Sequence, residues 1–213
     1  MKIVAMSDLH GFLPQIPNCD LLIFAGDLCP TSNHNVYFQQ DWLDNDFRHY
    51  LNNIPAKKII GVAGNHDFIF QEKPHLVPKG LKWEYLEDDW TTFEGKVIHG
   101  SPWTPIFHWW AFNASEKDLE ERWNRIKDPT SILVTHGPPL GILDVNNQNI
   151  RCGSSSLKEI TRTLPQLELH IFGHIHEGRG LWNRHRPKVT IFANVTVLNE
   201  KYENIYTPME FTL

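Results

Sequence analysis

Apolar residues in this chain fall into short runs, and run after run ends in a residue able to bind a metal ion. The run at 2–6 leads into Ser7-Asp8-Leu9-His10, and the run at 21–25 into Gly26-Asp27. The run at 58–63 leads into Gly64-Asn65-His66-Asp67, that at 132–135 into His136-Gly137, and that at 167–172 into Gly173-His174-Ile175-His176. Each is short, rich in Ile, Val or Leu, and bounded by Gly or Pro, the pattern of a buried strand rather than a helix.

Between them the apolar period changes. Phe38, Trp42, Leu43, Phe47, Tyr50 and Leu51 recur at near-helical spacing and predict a helix over 38–51. Ser115-Glu116-Lys117-Asp118 predicts a capped helix start, with Leu119, Trp123 and Ile126 on one face and Asp128-Pro129 as its stop. A third helix is expected over 154–164, ended by Pro165. The tail at 189–197 and 205–213 reads as strands, which form a second sheet or extend the first. Strands alternating with helices over the first two thirds predict an α/β architecture. With no repeat, linker or low-complexity tract, residues 1–213 read as one domain.

Composition narrows the function. A net charge of -5 argues against a protein that coats an extended nucleic acid, but not against a small phosphorylated substrate. Cys19, Cys29 and Cys152 have no spacing that suggests a disulfide framework or a zinc knuckle, which favours a reducing compartment. The apolar stretch at the N-terminus is too short for a signal peptide, and no window approaches the roughly 18 apolar residues of a membrane span. A cytoplasmic protein with no membrane partner is expected. The oligomeric state is open.

In open α/β sheets, ligands gather at the carboxyl ends of the strands. Asp8, His10, Asp27, Asn65, His66, His136, His174 and His176 would therefore meet in one place. This mixed nitrogen and oxygen set suits Mn, Fe, Zn or Ni better than Mg or Ca. Residues two apart, as in Asp8-x-His10 and His174-x-His176, share a side of a strand and can reach one ion or two adjacent ones.

The blocks Asp8-Leu9-His10, Gly26-Asp27, Gly64-Asn65-His66-Asp67, His136 and Gly173-His174-Ile175-His176, in that order, resemble those of the calcineurin-like metallophosphoesterases. Gly100-Ser101-Pro102-Trp103-Thr104-Pro105, Thr135-His136-Gly137-Pro138-Pro139 and Phe172–Glu177 are similar to the branch of metallophosphoesterase domain-containing proteins. The resemblance implies a four-layer sandwich of two mixed β-sheets flanked by helices. It also implies two divalent metal ions, with Mn²⁺ preferred and Fe, Zn or Ni as alternatives. Asp8, His10, Asp27 and His176 would hold the first ion, and Asp27, Asn65, His136 and His174 the second. A bridging hydroxide would attack phosphorus, His66 would protonate the leaving oxygen or stabilise charge there, and Asp67 would orient His66 by a hydrogen bond. The implied reaction is hydrolysis of a phosphodiester, nucleotide-derived in some members. The alternatives are a phosphomonoesterase or nucleotide pyrophosphatase on the same site, or a nucleotide-binding or scaffold module of low activity.

The aromatic segment 103–112 reads as packing rather than as a stacking platform for substrate. Ser101, Trp103 and Asn113 around it are candidate substrate contacts, as is Arg151, which could bind a phosphate oxygen from an otherwise solvated loop at 144–156. Arg179, Arg184 and Arg186 form either an anion-steering cluster or an ordinary basic turn.

Overall fold

The layering follows from alternation along the strands. In the computed structural model, which describes residues 1–126, 128–185 and 189–213, the strands in chain order are β1 (Lys2–Met6), β2 (Cys19–Ala25), β3 (Ala56–Val62), β4 (Glu84–Tyr85), β5 (Asp89–Phe93), β6 (Lys96–Ser101) and β7 (Thr104–Pro105). They continue with β8 (Asn113–Ala114), β9 (Thr130–Thr135), β10 (Leu169–Phe172), β11 (Gly180–Arg184), β12 (Thr190–Asn194) and β13 (Met209–Thr212). One sheet has the order β13-β1-β2-β3-β4, parallel throughout except that β13 runs antiparallel to β1. The other has the order β11-β12-β10-β9-β6-β5, with its two outer strands antiparallel to their neighbours.

Side chains alternate between the two faces of each strand. Ile3, Ala5, Leu21, Ile23, Ala25, Ile60 and Val62 of the first sheet therefore pack with Ile98, Ile132, Val134, Leu169, Ile171 and Ala193 of the second in one buried layer. The register keeps that face continuous, Ala5 opposite Ile23 and Ile23 opposite Ile60. The opposite faces are also apolar, which is the pattern of parallel strands covered on both sides. Val4, Met6, Leu22 and Phe24 pack with Trp42, Leu43, Phe47, Leu51, Ile69 and Phe70. On the far side, Leu133 packs with Leu119, Trp123, Leu157 and Leu164. The result is the expected sandwich of two mixed sheets with helices outside.

The helices match their sequence signals with shifted ends. α1 (Val36–Trp42) continues through a π-helical turn at Leu43–Phe47 into α2 (Arg48–Asn53), a longer stretch than the 38–51 expected. α3 (Phe68–Glu72) starts directly after Asp67. α4 (Glu116–Trp123) is capped by the Ser115 hydroxyl, which accepts from Asp118 N–H, and α5 (Ser155–Thr163) by that of Ser154, which accepts from Leu157 N–H. The tail divides: β12 belongs to the second sheet and β13 edges the first. No helix of the described residues is long and apolar enough to cross a membrane.

Candidate metal centre

Each metal-capable residue sits where a strand has just ended. Asp8 and His10 follow β1, Asp27 follows β2, Asn65 and His66 follow β3, His136 follows β9, and His174 and His176 follow β10. Both sheets thus deliver side chains to one place. The turns that do so are tight: Asp8, His10, Asp27 and His174 have φ of 55°, 45°, 53° and 68°. Left-handed backbone at a non-glycine residue costs about 1–3 kcal/mol and collects at functional sites.

Glycine permits two close approaches here. A Cβ on Gly64 would collide with the Asp27 carboxylate, and one on Gly173 with the Ser7 hydroxyl and the Asp8 carboxylate. Those carboxylates are themselves fixed. Asp8 accepts from Ser7 Oγ–H (2.6 Å) and from the His174 N–H (3.0 Å), and Asp27 accepts from the His66 N–H (2.7 Å).

The donor atoms converge. Asp27 Oδ2 lies 3.3 Å from His136 Nε2 and 3.6 Å from His10 Nε2, and Asp8 Oδ1 lies 3.4 Å from His176 Nε2. Three groups, Asp8-His10-His176, His10-Asp27-His66 and Asp8-Asp27-His136, each bring their donor atoms within 4.8 Å of one another. Asn65 joins them through Oδ1, 2.9 Å from His136 Nε2. His174 lies outside these groups, with its ring 5.0 Å from that of His136 and 4.9 Å from that of Phe107.

The electrostatics are those of carboxylates held charged by imidazoles. Burial alone would raise the Asp8 carboxyl, but the adjacent His176 holds it below the usual carboxylate range. Burial likewise works against Asp27, and His136 and His66 override it, keeping that carboxyl well below its ordinary value. Burial opposes charge on His136 and His176 too, yet Asp27 and Asp8 respectively bring each to about 9. Burial pushes His10 down to about 4 and His174 to about 3.

His10 supplies the test of fit for a cation. It is buried, and neither of its ring nitrogens has a hydrogen-bond partner. Orphaned buried nitrogens are costly, and Nε2 lies 3.6 Å from the Asp27 carboxylate. A divalent metal ion would satisfy His10 and the carboxylates together, and the mixed donor set suits a transition ion.

Beside the cluster lies a cavity of about 520 Å³. Asp27, Asn65, His66, His174 and His176 form its floor, and Phe107, Trp110, Asn146, Arg151 and Tyr202 stand among its walls. Of the expected substrate contacts, only Arg151 lines it. Its guanidinium is held by Asp144 at 2.8 Å. The other expected contacts do not line the cavity. Ser101 is buried and donates to Asp88. Trp103 packs edge-on against Phe112 beneath the Arg122 guanidinium. Asn113 braces the aromatic loop, donating to Thr104 and accepting from the Phe107 N–H.

That loop is packing only in part. Phe112 is in the core and Trp109 is 97% exposed, whereas Phe107 and Trp110 face the cavity. Arg179 is turned away, bonded to the Thr196 and Thr207 carbonyls, and Arg186 lies outside the described residues.

The expected Asp67–His66 hydrogen bond is absent. The Asp67 carboxylate accepts instead from the Leu28, Cys29 and Gly64 N–H groups at 2.8–3.1 Å. It thereby locks the turn carrying Asp27 to the turn carrying Asn65. The partner of His66 Nδ1 is His34 Nε2, at 2.9 Å. His34 went unnoticed in the sequence, as did Tyr202, whose ring lies 5.0 Å from those of both His10 and His176. The signal for His34 was slight: one histidine shortly after Gly26-Asp27, in a polar loop. Tyr202 had no sequence signal.

Comparison with known proteins agrees with this architecture. Residues 1–178 match the family described as Calcineurin-like phosphoesterase. Metallophosphoesterase domain-containing protein 1 of Homo sapiens is 32% identical over 240 residues, covering 100% of this chain and 71% of the relative. A UPF0046 protein of Caenorhabditis elegans is 26% identical, covering 100% of this chain and 81% of the relative. Among solved structures, the Thermus thermophilus sulfate thiohydrolase SoxB superposes with a TM-score of 0.50 at 12% identity, covering 83% of this chain and 33% of that one. That likeness is one of fold alone.

Proposed function

The chain belongs to the calcineurin-like phosphoesterase family, and on that footing we propose that it hydrolyses a phosphodiester at a dinuclear centre. Asp8, His10, Asp27 and His176 would hold one divalent ion, and Asp27, Asn65, His136 and His174 the other. The observation that carries this reading is buried His10, with both ring nitrogens unpartnered beside Asp8 and Asp27. Such ions, for which Mn²⁺ is the proposed identity, would supply Lewis acidity toward the phosphoryl oxygens and the attacking water.

The chain's own groups do the rest. The cavity floor positions the ester. A water oxygen forms the new bond to phosphorus as the ester P–O bond breaks. His66 gives the leaving oxygen a proton from Nε2, the ring nitrogen not bonded to His34, and the proton released by the water restores it. Arg151, the one Arg or Lys among the described residues lining the cavity, is already neutralised by Asp144. That favours a monoanionic diester over a dianionic monoester.

The test is to assay bis(p-nitrophenyl) phosphate and p-nitrophenyl phosphate side by side in Mn²⁺, after chelation, and with Asp27→Ala. Diester turnover is expected to exceed monoester turnover and to vanish on chelation, and the variant should lose both activity and metal content. Faster monoester cleavage would overturn the diester reading, and turnover that survives chelation would overturn the metal-dependent one.

A further inference from the structure

His66 is held from every side, and two of the groups that hold it come from the start of one helix. Its N–H donates to Asp27 Oδ1 at 2.7 Å. Its carbonyl accepts from Gln39 Nε2 at 2.7 Å, and Gln39 Oε1 accepts from the Ile69 N–H at 2.9 Å. Gln39 is fully buried in α1. The ring meets His10 edge-on at 4.9 Å and lies 4.2 Å from the Trp110 ring. Its Nδ1 is bonded to His34, which directly precedes the α1 cap residue Asn35. His34 is in turn flanked by Trp110 at 5.3 Å and Phe68 at 5.4 Å. Its place is thus set by packing as well as by the hydrogen bond.

We infer that His34 is the positioning residue for His66, fixing its ring and its tautomer so that Nε2, and not Nδ1, exchanges the proton at the leaving oxygen. With Nδ1 held by His34, Nε2 is the ring nitrogen left to face the leaving oxygen as the P–O bond breaks, and the Nδ1 hydrogen bond persists through the transfer. Loss of His34 lets the ring rotate or settle in the other tautomer, which presents a bare Nδ1 to solvent. Asp67, three times engaged with backbone N–H groups, cannot replace it.

This rests on the proposal that His66 is the proton donor, and the experiment separates the two. Wild type, His34→Ala and His34→Gln are assayed with Mn²⁺ on bis(p-nitrophenyl) phosphate, whose phenolate leaves readily, and on a dinucleotide, whose ribose alkoxide needs a proton. His34→Ala is expected to lower kcat on the dinucleotide by about 10–100-fold, the usual scale for an orienting partner. KM should change little, the loss on the aryl diester should be much smaller, and Gln, which can still bond Nδ1, should recover part of it.

Equal losses on both substrates, or none, would overturn the inference. If wild type cleaves neither substrate, the proposed function fails instead, and the pairing is then read in metal-depleted protein by two-bond ¹H–¹⁵N NMR of the histidine rings. His34→Ala should move the His66 nitrogen shifts toward a tautomer mixture and Gln should move them back. Unchanged shifts would sink the pairing itself.

Discussion

At the scale of single residues, side chains near the centre divide into those that face the cavity and those that hold the first kind in place, and Asp67 belongs to the second. Burial and the nearby Asp27 carboxylate raise its pKa to about 6, against three backbone N–H groups that favour the charged form. Removing it would strand the Leu28, Cys29 and Gly64 donors in the interior. Each buried donor left unsatisfied costs about 1–3 kcal/mol. Asp67→Ala is therefore expected to destabilise the fold by about 3 kcal/mol or more, read as a lower denaturation midpoint at an unchanged slope. Asp67→Asn, which keeps one acceptor oxygen, should lose less. If Asp67→Ala were as stable as wild type and only its rate fell, the carboxylate would be acting on His66 after all.

At the scale of elements, the strands whose ends carry the centre were the most legible, because both faces of β1, β2, β3, β9 and β10 are buried and their sequences are nearly unbroken apolar runs. The β5–β6 hairpin was not, since Asp89, Trp90 and Thr92 give an edge strand no clear apolar run. The metal-capable residues stood out for the same reason as the strands that end in them. The cavity walls did not: Trp110, Phe107 and Tyr202 are brought there by loops, where no period links sequence to direction. His34 depends on a helix start, and that start can be tested by itself. Asn35 caps α1 by accepting from the Tyr37 and Phe38 N–H groups at 2.9 and 3.4 Å. Asn35→Ala should cost about 0.5–2 kcal/mol of stability. It should also reduce dinucleotide turnover in the manner of His34→Ala, though less, because His34 hangs from that cap. A stability loss with turnover intact would mean that Trp110 and Phe68 alone suffice to place His34.

At the scale of the whole molecule, the centre lies on the seam between the two sheets. Asp8, Asp27 and Asn65 come from the first sheet, and His136, His174 and His176 from the second. Away from the centre the seam is held by apolar packing, and beside it by the bridge from Ser7 to the segment after β12, where Ser7 N–H donates to the Val195 carbonyl at 3.2 Å and Val197 N–H to the Ser7 carbonyl at 3.1 Å. Bound ions would add a tie of a different kind, one that exists only in the folded state and so contributes to stability by mass action. At a free metal concentration about 100-fold above the dissociation constant, that contribution is about 2.7 kcal/mol. Chelation is expected to lower the thermal midpoint by several degrees, and Mn²⁺ should restore it in a concentration-dependent way. Hydrogen exchange should localise the loss to the turns after β1, β2, β3, β9 and β10 on both sheets, leaving α4 and α5 unchanged. Loosening confined to one sheet would mean that the ligands do not bridge the seam, and a midpoint indifferent to chelation would remove the metals from the stability of the fold altogether.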